Sequence, residues 1–182
     1  MKFLTILSLV MISFSVSAFA MGTVDKGQEI PTDLALYDQY GGERSFDNLV
    51  GSKGLVLVFF RSADWCPYCK AQLIDLRNKR KQFENAGYPV VAISYDDVDI
   101  LGRFNEEYDP GFTLLSDPGS KTIEAFGLKD EQYQPGSFAF GVPKPAIFIV
   151  NKDKFVTDIL AEDSYKVRPQ VEVIIKAIYN PE

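Results

Sequence analysis

An apolar run, Leu55 to Phe60, breaks off at Arg61-Ser62-Ala63-Asp64, and the chain resumes as Trp65-Cys66-Pro67-Tyr68-Cys69-Lys70. A continuous β-favouring stretch bounded by glycine and serine predicts a strand buried on both faces of a sheet, over Gly54 to Phe60. Beyond it Cys69, Leu73, Leu76 and Phe83 recur at helical spacing among Lys, Arg and Asn, and Gly87 supplies a stop. Pro67 to Ala86 therefore reads as one amphipathic helix. The only two cysteines of the chain fall at the head of that helix. Free amides and the positive end of the dipole favour a thiolate there, so the pair can open and close a short disulfide.

What the chain lacks narrows the chemistry further. It has no histidine, which removes Ser-His triads, His metal ligands and the usual near-neutral proton shuttle. A structural zinc needs four ligands, so two cysteines would serve only if shared between chains or helped by carboxylates; no metal and no cofactor is expected. A purely structural disulfide closing so short a loop stabilises little. The formal net charge of -6 disfavours nucleic acid as a partner, and the basic run Arg77 to Lys81 reads as a solvated helix face.

The amino end reads as an address. Lys2, the apolar Phe3 to Ile12 and then Ala18-Phe19-Ala20 form a secretory leader over 1–20 with cleavage after Ala20. No later segment approaches the roughly 20 apolar residues that span a bilayer, so no membrane association is expected after cleavage. Residues 21–182, with the ordinary composition of a globular protein, form one domain. Its expected place is across the inner membrane, in an oxidising periplasm where disulfides persist.

Leu34 to Tyr37 can add a short strand, Gly41-Gly42 a turn, and Ser45 to Leu49 a helical turn. Pro89 to Tyr95 is a second buried strand, and Asp96-Asp97 can cap a helix that turns Val98, Leu101, Phe104 and Tyr108 inward. A short strand (Phe112 to Leu115), a turn (Asp117 to Gly119) and a short helix (Lys121 to Phe126) follow. Leu128 to Val142 has no clear period and carries Tyr133, Phe138 and Phe140 among Gly and Pro; a loop this long is often functional. Pro145 to Val150 and Phe155 to Leu160 form a hairpin about Asn151 to Lys154, and Val171, Ile174, Ile175 and Ile178 mark one face of a last helix. Alternating strands and helices imply an α/β fold with parallel crossovers.

The Cys-x-x-Cys at a strand-to-helix turn, then a hairpin and a last helix, resembles the thioredoxin-like fold, a central mixed sheet with flanking helices. More closely, Val58 to Arg61 leading to Trp65-Cys66-Pro67-Tyr68-Cys69, then Ile93 to Asp96, Leu115 to Gly119, Ala125 to Gly127 and Pro145 to Val150, resemble in order the blocks of the redoxin branch of the alkyl hydroperoxide reductase and thiol-specific antioxidant family. The resemblance implies Cys66 as the attacking thiol, Cys69 as the resolving thiol, and Pro145 as a cis-proline against the pair. Such a bond would turn the Lys144 carbonyl side toward an extended partner; Val142-Pro143 is the rival for that position. The chain departs from the pattern at three places. Phe59 and Ala63 stand where peroxiredoxins carry Pro and a Thr or Ser, and Phe60 stands where thioredoxins carry a buried Asp. Tyr68 makes the Cys-Pro-Tyr-Cys of glutaredoxins.

The leading expectation is an exported thiol-disulfide oxidoreductase acting on cysteine-containing proteins or small disulfides, with an unidentified thiol reductant. A thiol-dependent peroxidase is the alternative. A non-catalytic binding module or chaperone that holds clients on Tyr133 to Phe140 is a third. Arg61 and Lys70 can add positive potential at the pair, or be a structural strand-end residue and a solvated helix residue. Trp65 reads as an apolar platform beside the sulfurs or as loop packing.

Overall fold

The structure is a computed structural model and describes residues 23–32 and 36–180. The leader at 1–20, and Leu34-Ala35 of the first expected strand, lie outside the described residues. Seven strands form one mixed sheet in the order β2-β1-β5-β4-β3-β6-β7. They are β1 (Leu36–Asp38), β2 (Glu43–Arg44), β3 (Gly54–Phe59), β4 (Val90–Ser94), β5 (Thr113–Ser116), β6 (Ala146–Asn151) and β7 (Val156–Ala161). β3, β4 and β5 run parallel, joined by helical crossovers, while β6 and β7 return antiparallel as the hairpin.

The interior strand β3, between β4 and β6, is buried along its whole length because both faces are covered. Val56, Val58 and Phe60 point to one side and meet Cys69, Leu73, Leu76 and Phe83 of α2 (Pro67–Ala86), Leu101 and Phe104 of α3 (Val98–Tyr108), and Ile174 and Ile178 of α5 (Val171–Tyr179). Leu55, Leu57 and Phe59 point to the other, where Phe46 of α1 (Phe46–Leu49) and Ile123 of α4 (Lys121–Ala125) close a second core with Phe126 and Phe148. Burial of a Leu, Val or Phe side chain contributes about 1.5–3 kcal/mol, and both layers draw on β3, so the strand that ends at the cysteines is firmly held from both faces.

The bounds of α2 follow from its punctuation. Pro67 takes the first helical position, where its missing N–H is no loss. Gly87 takes the left-handed turn at φ 81°, and a Cβ there would come within 2.5 Å of Ser52 Oγ. Asp97, rather than Asp96, caps α3 by accepting from the Ile100 amide at 2.9 Å; Asp96 turns inward.

Candidate active site

Cys66 is the N-cap of α2, with extended backbone, and Cys69 follows one turn in. Cys66 Sγ accepts the Cys69 amide at 3.3 Å, and its carbonyl accepts the amides of Cys69 and Lys70 at 3.1 Å each. The two sulfurs are joined in a disulfide whose Cα atoms lie 5.3 Å apart. In the reduced state the same amide and the helix's positive end would favour charge on Cys66. Both residues are buried, Cys66 2% exposed and Cys69 not at all.

A carboxylate fixes the loop that delivers them. Asp96 Oδ1 accepts the Ser62 hydroxyl at 2.8 Å, and Oδ2 accepts the Ala63 amide at 2.7 Å and the Ser94 hydroxyl at 2.9 Å. Ser62 Oγ in turn accepts the amides of Asp64 and Trp65. Burial pushes the Asp96 pKa up, helped by the Asp64 charge and opposed by the hydrogen bonds from Ala63, Ser62 and Ser94. A carboxyl raised in the folded state contributes stability that is fully present below its unfolded value, about 3.9, and is lost as pH rises through the folded value. The stability lead of the wild type over Asp96→Asn, read from urea unfolding across pH, is therefore expected to shrink as pH rises above the unfolded carboxylate range. A lead that grows with pH would contradict the assignment.

Above the loop lies a second charged group, Arg61, 2% exposed. Its Nη1 donates to Asp130 Oδ2 at 3.0 Å and its Nη2 to Tyr133 Oη at 2.7 Å. The rings of Trp65, Tyr133 and Tyr165 stand 5.5, 5.1 and 4.6 Å from its guanidinium carbon. One buried cation thus joins the cysteine loop to the 128–142 loop and to the segment before α5. Arg168 arrives from that segment, with Nη2 at 3.4 Å from Cys69 Sγ.

Of the residues singled out from sequence, Cys66, Cys69, Arg61 and Trp65 come together. Trp65 packs against the core that contains both cysteines. Its Nε1 donates to Tyr95 Oη at 3.0 Å, and its ring meets Phe138 edge-on at 5.4 Å, so its contacts tie the cysteine loop to the end of β4 and to the 128–142 loop. Lys70 sits half-buried in the first turn of α2, with no ion pair among the described residues. Lys144 is exposed, and nothing ties its side chain to the sulfurs.

The expectation for Pro145 is corrected. No peptide among the described residues is cis, so Lys144-Pro145 and its rival Val142-Pro143 are both trans. The reason is the neighbouring loop. Lys144 N–H donates to Leu128 O at 2.7 Å and Asp130 N–H to Val142 O at 2.9 Å, which holds 142–144 extended and feeds it straight into β6. Pro145 instead lines a small cleft with Gln72, Ile147 and Arg168. Arg168 and Asp130 were missed as site residues; each meets its partner across a long stretch of chain, and no local period marks them.

The site is thus a disulfide at the head of the helix that follows an interior strand of a mixed sheet. The model of the AhpC/TSA family matches residues 27–159. The chain belongs to that family. Peroxiredoxin Q, chloroplastic, of Populus jackii is 30% identical over 166 residues, covering 91% of this chain and 73% of that protein. Peroxiredoxin Bcp of Escherichia coli (strain K12) is 29% identical over 150 residues, 82% of this chain and 93% of that one. The crystal structure of peroxidoxin BcpB from Mycobacterium tuberculosis superposes with a TM-score of 0.73 at 24% identity, over 86% of this chain and 97% of that one, a likeness of fold. AhpC/TSA membership, with the closed cysteine pair, makes this chain a thiol-dependent oxidoreductase of thioredoxin-like fold.

Proposed function

We propose that the chain is a thiol-dependent peroxidase, in which Cys66 reduces a hydroperoxide and Cys69 resolves the product to the disulfide. The carrying observation is the burial of Cys66, 2% exposed in the core against which Trp65 packs. In-line attack on another protein's disulfide needs room for that bond and its flanking chain, whereas a peroxide brings only two oxygens to the sulfur. The names of the AhpC/TSA relatives, peroxiredoxin Q and peroxiredoxin Bcp, support the same reading. It displaces general thiol-disulfide exchange, the leading expectation from sequence.

In the proposed cycle the Cys66 thiolate attacks the terminal oxygen of ROOH; an S–O bond forms, the O–O bond breaks, and ROH leaves with a proton. Cys69 sulfur then attacks the Cys66 sulfenic acid, the S–O bond breaks, water leaves, and Cys66 and Cys69 are joined. An external dithiol returns two electrons and two protons. No histidine is needed, since the thiolate is favoured by the helix amides rather than by a base.

Ala63 favours a second reading. It offers no hydroxyl to orient a peroxide, and its amide is engaged by Asp96. Thiol-disulfide exchange with a small disulfide needs no such group. The Cys69→Ser variant separates the two. Under the peroxidase reading one equivalent of hydrogen peroxide is consumed and a Cys66 sulfenic acid accumulates, trapped by dimedone. If no sulfenic acid forms while a small disulfide yields a mixed disulfide on Cys66, exchange replaces it. The proposal places this activity outside the cytoplasm, on the leader read at 1–20; amino-terminal sequencing of the exported protein should begin at Met21.

A further inference from the structure

The two sulfurs are served by different donors. Cys66 Sγ takes the Cys69 amide, while Cys69 Sγ takes Nη2 of Arg168 at 3.4 Å. Arg168 is half-buried, held in place by Nη1 bonds to the carbonyls of Tyr165 and, at 2.8 Å, Val167. The Tyr165 ring lies over Arg61 and meets Tyr68 edge-on at 6.3 Å, so the segment carrying Arg168 is pinned across the disulfide. No carboxylate pairs with Arg168 among the described residues. Its Nε and Gln72 Oε1, both lining the cleft beside Cys69, are buried without hydrogen-bond partners. Burial first, and the Arg61 charge second, bring the Arg168 pKa down to about 10, which leaves it charged at neutral pH.

A half-buried cation with no ion pair among the described residues has one group in contact that can become an anion, the Cys69 sulfur. We propose that Arg168 is a catalytic residue for reduction of the disulfide: its guanidinium takes up the charge that Cys69 Sγ acquires as leaving thiolate, and so makes Cys66 the sulfur an incoming thiol attacks. In that step one thiolate of a small dithiol, which brings no flanking chain to the buried sulfur, bonds to Cys66 Sγ, the Cys66–Cys69 bond breaks, and its electron pair stays on Cys69. A second donor thiolate then frees Cys66, and the donor leaves as a disulfide. Leaving-group thiols of lower pKa leave faster, and a positive charge in contact with the sulfur lowers that pKa. The other charged groups are poorer candidates. Arg61 is neutralised by Asp130, Asp96 lies behind Ser62, and Asp64, Lys70, Glu162 and Lys166 are exposed or half-exposed, where water screens them.

The inference rests on the Cys66–Cys69 redox cycle and not on the identity of the oxidant, so its test uses no peroxide. In the full chain carrying Cys66→Ser, the pH dependence of Cys69 alkylation gives its ionisation midpoint. Arg168→Met is expected to raise that midpoint by about one unit or more, and Arg168→Lys, which keeps the charge but not the fork, to fall between the two. With both cysteines present, reduction by dithiothreitol at neutral pH is expected to slow roughly threefold to tenfold in Arg168→Met. An unmoved midpoint, or equal shifts for Lys and Met, overturns the proposal. If Arg168→Met does not fold, Arg168→Gln is judged on the same shift. A wild type that fails to consume peroxide would sink the peroxidase reading and leave this result standing.

Discussion

Cys66→Ser is expected to abolish peroxide-driven turnover, with a loss of at least about a thousandfold in the rate of substrate consumption at saturating dithiol. The size follows from the chemistry of the nucleophile. A serine hydroxyl stays protonated at any physiological pH, and the helix amides that favour a thiolate cannot ionise it in a chain with no histidine to act as base. The fold should survive. The replaced group differs by one atom, and the disulfide it removes closes a loop across a sequence separation of only three residues, which contributes little chain entropy. Unchanged urea unfolding beside lost turnover, in a coupled peroxide-consumption assay, is the predicted pair of results. Retained turnover would move the chemistry to another group.

The largest expected effect on stability is at Asp130. Asp130→Ala leaves the Arg61 guanidinium, 2% exposed, without its anion, and breaking a buried pair from one side costs about 3–5 kcal/mol. Tyr133 Oη still accepts from Nη2, but a neutral acceptor does not replace a carboxylate. Removing both charges with Arg61→Met and Asp130→Leu is expected to recover most of that loss, because the desolvation of two ions is removed with their attraction. Three rings lean on Arg61, so the single variant should also loosen the segment bearing Tyr165 and Arg168. Urea midpoints for the two singles and the double, at constant m-value, form the cycle that checks this.

How far the molecule can be read from its sequence depends on how local each cause is. The bounds of α2 are legible because Pro67 and Gly87 punctuate them chemically, and the cysteine pair is legible because it caps that helix. β3 is legible because an unbroken apolar run has few other uses. Asp96 and Asp97 show where this stops. Both can cap a helix by residue type, and only the chain's direction after β4 decides that Asp97 caps while Asp96 anchors the cysteine loop. The trans bond before Pro145 is set by pairing with 128–130, which no local signal reveals. Arg61 meets Asp130 across 69 residues and Cys69 meets Arg168 across 99, so a local reading finds the sulfurs and Arg61 and misses the partners that reach them from afar.

The most direct test of the central claim is to mix the fully reduced protein with one equivalent of hydrogen peroxide, quench with an alkylating agent over a time course, and map the cysteines by mass. Loss of both thiols together, with Cys66 and Cys69 recovered in one disulfide and formed far faster than free cysteine reacts at the same pH, is the predicted result. Thiols that persist at the rate of free cysteine, and close only when a disulfide is supplied, would contradict it.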